Sequence, residues 1–397
     1  MKTAWQVAVV GAGPVGLALA LHAARLLPHA QITLFDARPL DRDVAADPRT
    51  LALSLGSVQF LQRLGAWPAA AAQPITEVQI SQQPPSLAGA EVRLLARELG
   101  VPQLGAVLAY GSLVAPLQQA WLDAAAREPA RLRTRFGTPV AGLKPLADGV
   151  EVDAGIAERY DLAVVAEGGV FTDQVRKRVH SDYGQTAWVG SVTLEGATPG
   201  RAFERFTPHG PAALLPLPPL PQTSAGAAVA ARSALVWCVP TRDDPVRDLD
   251  DAQRLAVLSS IFPAAAGHLV GVSPLKPFAL GLNAERTLVD GRTVRIGNAA
   301  QTLHPVAGQG LNLGLRDAHE LVAVLRWADD LDVALRRAEW ARAADRWTMI
   351  AATDFLARSF TWTLPGAAWA RGMGLSALQA TAPAKAWLAR RMMFGAR

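Results

Sequence analysis

The chain has a single cysteine, Cys238, in 397 residues, so no disulfide can close within it. A reducing compartment, the cytoplasm, is the default expectation. The seven histidines are scattered, with no two at metal-ligand spacing, which argues against a zinc site and leaves no metal to predict. No Ser-His-Asp or Cys-His arrangement can be argued from the chain, so no catalytic protein nucleophile is expected. No internal repeat is visible. Val7 to Leu27 is apolar and follows Lys2, but Gly11, Gly13, Pro14 and Gly16 interrupt it and His22 and Arg25 lie within it. A signal peptide or membrane span is therefore the weaker reading of that run. Negative charge is missing after Asp354, where Arg358, Arg371, Lys385, Arg390, Arg391 and Arg397 stand without a single acid. Setting those six aside leaves the remaining basic residues nearly balanced by the 34 acidic ones. The tail also holds Phe360, Trp362, Trp369, Trp387 and Phe394. That mixture suits a membrane surface or a protein partner rather than nucleic acid, and no nucleic-acid partner is expected.

What is present is a core-forming composition: half of the residues are apolar and 18% are charged, enough for two ordinary domains or one large α/β domain with insertions. Gln6–Val10, Ile32–Phe35, Leu162–Val165 and Thr293–Ile296 each look like a buried parallel strand. Their separation in sequence suggests one nucleotide-binding sheet assembled from distant segments. Between Tyr183 and Pro240 the pattern turns to short β-like pieces, Ala187–Leu194, Ala212–Leu217 and Ala227–Val239. Pro216, Pro218, Pro219 and Pro221 form a proline-rich connection there. From Leu311 onward the pattern is mostly helical.

Val7 to Gly16 reads as strand, glycine turn and helix with the spacing G-x-G-x-x-G. Gly11 permits the tight turn, Gly13 lets backbone approach a pyrophosphate, and Gly16 with Ala20 lets the helix pack close to the strand. Pro14 opens that helix, whose free N–H groups and positive dipole end suit phosphate. The next strand ends in Asp36, 20 residues past Gly16, where a carboxylate can accept both ribose hydroxyl hydrogens. A ligand-free glycine turn is the bland alternative, and the ordered strand, turn, helix, strand and acid weigh against it.

The segment Arg295-Ile296-Gly297-Asn298-Ala299-Ala300-Gln301-Thr302-Leu303-His304-Pro305-Val306-Ala307-Gly308-Gln309-Gly310-Leu311-Asn312, continuing to Asp317, resembles the second FAD motif of class A flavoprotein monooxygenases. Within that class it resembles the ubiquinone-biosynthesis hydroxylases. Asn298, where the motif usually has aspartate, resembles the branch acting on 2-polyprenyl-6-methoxyphenol. Asp47–Ser54 is similar to the family's segment over the flavin, Ser181–Ala187 and Phe203–Pro211 to its substrate-domain strands, and Met373 to Gly395 to its C-terminal helices. The resemblance implies an α/β fold: a Rossmann-like FAD-binding domain of the para-hydroxybenzoate hydroxylase kind, an interleaved β-rich substrate domain, and C-terminal helices. The expected division is 1–72, 99–178 and 283–330 for FAD, 73–98 and 179–282 for substrate, and 331–397 for the helical region.

By the same resemblance, FAD contacts fall to Gly11, Gly13, Pro14, Gly16, Asp36, Arg49, Glu167, Gly168, Asn298, Pro305, Gly308, Gln309, Gly310, Leu311 and Asn312. Arg49 suits the pyrophosphate. Gly308 and Gly310 let backbone lie flat beside the isoalloxazine ring, and the helix near Leu311 points N–H groups at the flavin N1–C2=O edge. His304 reads equally as a turn histidine and as a group near the reactive flavin carbon. Two positions depart from the family pattern: Glu167 stands for aspartate in the middle FAD motif, Asp161 to Gly169, and Ala109 stands where relatives carry glutamate. The implied reaction consumes NAD(P)H and O2 and hydroxylates a polyprenyl phenol. A seat on the inner membrane surface and contact with other ubiquinone-biosynthesis proteins go with that substrate. Another flavin enzyme, such as a halogenase or prenyl reductase, is a rival reading. Trp237-Cys238-Val239-Pro240 does not fit the halogenase W-x-W-x-I-P. A non-catalytic FAD-bound assembly component is the other rival.

Overall fold

The computed structural model describes residues 4–83, 90–168, 175–219, 231–359, 362, 364 and 366–395. Gly169, Pro221, Phe360 and Arg397 lie outside them. In chain order the elements are β1 (Gln6–Val10), α1 (Pro14–Leu26), β2 (Gln31–Asp36), β3 (Thr50–Ser54), α2 (Leu55–Arg63), β4 (Gln73–Ile75), β5 (Glu77–Gln82) and β6 (Glu91–Leu95). Next come β7 (Gly105–Ala109), α3 (Tyr110–Arg127), β8 (Leu132–Phe136), β9 (Gly142–Leu146), β10 (Gly149–Asp153), β11 (Ala157–Tyr160) and β12 (Leu162–Val165). The middle of the chain gives β13 (Val179–Glu195), β14 (Arg201–Thr207), β15 (Gly210–Pro216), β16 (Ala231–Pro240), α4 (Asp251–Ile261), β17 (His268–Val272) and β18 (Lys276–Ala284). Last are β19 (Val289–Asp290), β20 (Thr293–Arg295), β21 (Gln301–Thr302), α5 (Gln309–Leu325), α6 (Leu331–Ser359), α7 (Ala367–Ala380) and α8 (Ala382–Phe394).

The four strands expected from apolar runs stand side by side in a six-stranded sheet of order β19-β20-β12-β1-β2-β8. β20, β12, β1, β2 and β8 are parallel, and β19 pairs antiparallel with β20. Val7, Val9, Ile32, Leu34, Leu162 and Val164 are buried in one core with α1, α3 and α5, as expected for parallel strands covered on both faces. Two close approaches require glycine. A Cβ on Gly16 would stand 1.8 Å from the Gly11 carbonyl oxygen, and one on Gly314 would stand 2.8 Å from Gly297 Cα. These contacts bring α1 against β1 and α5 against the turn after β20, so both helix N-termini meet the same sheet edge.

A second sheet has nine strands, in the order β21-β18-β13-β16-β15-β14-β5-β6 with β17 beside β13. The middle β-like pieces fall on β13, β15 and β16, with Leu217 of the second one residue past the end of β15 and residues 227–230 of the third outside the described set. One face carries Phe203, Leu214, Leu235, Trp237 and Trp188 and is packed by Leu258 and Ile261 of α4. Asp250 caps that helix, its side chain accepting from Gln253 N at 2.8 Å while Gln253 Oε1 accepts from Asp250 N. The opposite face turns toward α5 to α8. Small sheets β3-β7-β4 and β9-β10-β11 complete the topology. Among the described residues no helix is long and apolar enough to cross a membrane.

Candidate functional site

In a parallel sheet ligands gather beyond the C-terminal strand ends. Here those ends line up as β20, β12, β1 and β2, which present in turn Asn298, Glu167 with Gly168, Gly11 with Gly13, and Asp36. Gly11 has φ +103°, and a Cβ there would stand 2.9 Å from Glu167 N. The turn therefore needs glycine for its conformation and for its neighbour. α1 starts with Pro14 at its N-terminus and has no side-chain cap. Its first N–H groups are left for an anion or for water.

Asp36 is held ready at the end of β2. Its carboxylate accepts from Ala12 N and, at 2.7 Å, from Arg38 N. Arg38 also donates to Gln118 Oε1 at 3.0 Å and to Ala12 O at 3.3 Å, which ties the glycine turn to the acid. Glu167 is exposed at the mouth of the groove. Desolvation by the groove wall and the nearby Asp36 carboxylate raise its pKa. Arg49 is gripped by Asp47, with Nη2 to Oδ2 at 2.8 Å, and its guanidinium lies 4.2 Å from the Tyr110 ring centroid. The Tyr110 hydroxyl lies 3.7 Å from where a Gly13 Cβ would be. Tyr110 and Arg38 were not singled out from sequence. The signals were present, since Arg38 follows Asp36 by two residues and Tyr110 adjoins Ala109.

The long motif forms a turn, Gly297–Ala299, then β21, a turn at Val306–Gly308 and α5. Gly308 caps α5 at φ +59°, with no side-chain cap, and a Cβ on Gly310 would meet nothing within 4 Å. That open space beside a free helix N-terminus fits a flat ring lying on Gly310 with its electron-rich edge toward the N–H groups. Pro305, Gln309 and Leu311 flank the same turn. The buried Gln309 accepts from Arg316 Nη2 at 3.0 Å.

Asn312 differs from its neighbours. Its Oδ1 accepts from Ser54 N at 2.8 Å and Ser57 Oγ at 2.7 Å, and its Nδ2 donates to Ala52 O and Gly308 O. This 2% exposed side chain clamps β3 onto the α5 N-terminus. His304 is likewise held from both sides. Nδ1 accepts from Val306 N at 3.2 Å, and Nε2 lies 3.0 Å from Gln185 Oε1, so Nε2 is the protonated nitrogen. Burial lowers its pKa to about 4, and the neutral ring works as a strut between the motif and β13.

Behind the motif lies a buried ionic network. Arg342 Nε donates to Asp317 Oδ1 at 2.8 Å and Arg342 Nη1 to Asp345 Oδ2 at 2.8 Å, while Arg316 pairs with Asp345 at 2.9 Å. Gln301 Nε2 donates to Asp317 at 3.0 Å and its Oε1 accepts from Arg346 Nε at 2.6 Å. Losing one partner of such a pair leaves a bare buried charge, so the network fixes α6 to the motif firmly.

A dinucleotide groove at the edge of a parallel sheet, a second uncapped helix over open space, and a broad antiparallel sheet facing them define an FAD-binding flavoprotein of the two-sheet hydroxylase kind. The chain belongs to the family described as FAD binding domain, whose model matches residues 4–330, and it is a class A flavin monooxygenase. It is 31% identical over 399 residues to a 3-demethoxyubiquinol 3-hydroxylase of Escherichia coli, covering 94% of each chain. It is 32% identical over 424 residues to the ubiquinone hydroxylase UbiL of Rhodospirillum rubrum, covering 98% of this chain and 89% of that one. The fold matches HpxO of Klebsiella pneumoniae, solved with FAD and uric acid, at a TM-score of 0.69 and 18% identity, covering 100% of this chain and 97% of that one. FAD is the cofactor, with NAD(P)H and O2 as the usual co-substrates of such monooxygenases.

Proposed function

We propose that this protein hydroxylates a polyprenylated phenol on the route to ubiquinone. The observation that carries this reading is the face of the nine-stranded sheet turned toward the α5 N-terminus. Val78, Ile80, Ala213, Leu215, Val236 and Cys238 make it apolar around the single carboxyl of Glu204, and among the described residues it shows no pair of arginines or lysines of the kind a small carboxylated ring would need. The two ubiquinone hydroxylases matched over most of their length support the same substrate class. The division of the chain into interleaved flavin and substrate segments is part of this proposal. Strands from 73–98 and 179–282 making up most of the nine-stranded sheet support it.

In this reading Gly11, Gly13, Pro14 and Gly16 cradle the pyrophosphate, with Arg49 at its outer side. Asp36 takes the ribose hydroxyls, and Glu167, Gly168 and Asn298 line the middle of the groove. Pro305, Gly308, Gln309, Gly310 and Leu311 form the bed of the ring, and Asn312 holds that bed in place. When bound, the flavin supplies the reducing power and oxygen activation. The chain supplies alignment and a dry wall. Trp369 (51% exposed) and Trp387 (62%), beside the basic residues of α7 and α8, support a peripheral seat on anionic lipid, where such a substrate resides. Sedimentation with anionic but not neutral vesicles tests that seat.

Deleting the gene and identifying what accumulates tests the function. Build-up of 2-polyprenyl-6-methoxyphenol is expected. Build-up of 2-polyprenylphenol, or of a methoxylated benzoquinone lacking a later hydroxyl, moves the reaction to another ring carbon. Unchanged ubiquinone removes the pathway. The rival assembly role is favoured by Ala109 and Glu167, and substrate-dependent NAD(P)H consumption by the purified protein would eliminate it.

A further inference from the structure

Glu204 sits in β14, a central strand of the nine-stranded sheet. Its register partners are Ala213 of β15 and Ile80 of β5, so it projects from the apolar face described above. On one side, Ala202, Leu215 and Val78 pack against Leu375, Leu378 and Met393 of α7 and α8. On the other, Phe206 packs with Val306 of the flavin-side turn, beside Ile80 and Leu356. Glu204 lies between these two contacts, facing the space they bound, and it is only partly buried. Among the described residues its carboxyl has no hydrogen-bond or ion-pair partner, and neighbouring Arg205 reaches the other way, donating to Ile261 O. A lone carboxyl in an apolar wall beside the flavin turn has no structural task to perform.

We propose that Glu204 meets the ring hydroxyl of the phenol and takes its proton during hydroxylation. This deepens the functional reading above and rests on it. As the O–H bond breaks, its electron pair stays on the ring oxygen and the proton moves to a Glu204 carboxylate oxygen. The electron-rich phenolate ring is then the better acceptor of the electrophilic oxygen atom. After the substituted carbon loses its own proton to water, the proton on Glu204 returns to the ring oxygen. Burial without a counter-charge raises the Glu204 pKa to about 8, near enough to that of a phenol for the proton to move either way. Three titratable groups on surrounding elements are engaged elsewhere. His304 is held by Gln185, Asp354 by Tyr183 and Arg358, and Arg371 donates to Ser359 O. The buried Cys238 thiol is pushed far above its usual range by burial and by Glu204.

The test compares FAD-loaded wild type, Glu204→Gln and Glu204→Asp with a short-chain prenylated 2-methoxyphenol across pH 6 to 9.5, reading product, NAD(P)H oxidation and FAD content. The wild-type kcat is expected to rise through pH of about 8. Glu204→Gln should lose that rise and about 10²-fold or more in kcat, with KM and FAD content little changed. Glu204→Asp should keep the rise at a reduced rate. Wild-type kcat and pH profile in Glu204→Gln would overturn the inference while leaving the proposed function intact. If the wild type makes no product from any prenylated phenol, the functional reading fails, and the inference is overturned with it.

Discussion

Replacing Asn312 with alanine separates two ways in which the α5 N-terminus can serve the flavin. The side chain is 2% exposed and joins β3, α2 and Gly308 through four hydrogen bonds. In Asn312→Ala the Ser57 hydroxyl can turn to Ser54 Oγ, 3.3 Å away, but the buried Ser54 N–H loses its acceptor. An unsatisfied buried donor costs about 1–3 kcal/mol, and the remaining lost bonds add about 1 kcal/mol. A destabilisation of roughly 2–4 kcal/mol is therefore expected in the flavin-free protein. Thermal and urea unfolding of apo and FAD-loaded forms measures it. The FAD-loaded form should lose that amount plus a smaller increment from a modest fall in FAD affinity, because the helix and Gly308 shift slightly. If apo stability is unchanged and FAD affinity alone collapses, the side chain touches the cofactor and the clamp described here is wrong.

Asp36→Ala should weaken FAD binding by roughly 1–3 kcal/mol, while Asp36→Asn, whose single amide oxygen can keep one of the two backbone hydrogen bonds accepted by the carboxylate, loses somewhat less; fluorescence titration with FAD decides, and equal affinity in all three would remove the ribose role. A Cβ on Gly310 meets no protein atom within 4 Å, so Gly310→Val should fold with normal circular dichroism yet fail to load or turn over flavin; normal turnover would show that the ring lies elsewhere. His304 has a folded pKa of about 4 against an ordinary 6.5, so the unfolded chain binds the proton more readily. Its contribution to stability is present above pH 6.5 and lost as pH falls toward 4, on the order of 3 kcal/mol. His304→Gln should lose less stability than wild type over that interval, and identical acid sensitivity would show that the ring titrates freely.

The parallel strands were legible because they are covered on both faces and read as continuous runs, such as Val7–Val10 and Leu162–Val165. The meander β9 to β11 gave no such signal, since Gly142–Leu146 is largely exposed and holds both Lys144 and Pro145. Gly11 and Gly16 were legible because close backbone approach leaves no room for another residue at either position. The ionic network was not. Gln301 and Arg346 are 45 residues apart, and no local period marks a contact that arises from how α6 crosses the motif. Glu204 lies within Phe203–Pro211, a segment whose sequence resembles a substrate-domain strand. Its chemical interest depends on which face of β14 it takes and on what its neighbours lack, and both are properties of the assembled sheet.

The scattered order of the nucleotide-binding strands has a consequence for how the protein is made. The growing chain has β1, β2, β8 and β12 once Val165 has emerged, but the open edge of β12 has no neighbour until β20 at Thr293–Arg295. At about 5–20 residues per second, that edge waits roughly 6–26 s. Asp317 then waits further for Arg342, and Gln301 for Arg346. The sheet edge at β12 and the ionic network behind the long motif are thus complete only once Arg346 has emerged. A nascent chain stalled before β20 carries an unpaired strand edge, and one stalled between Asp317 and α6 carries an uncompensated carboxylate, so each stall exposes a different feature that chaperones recognise.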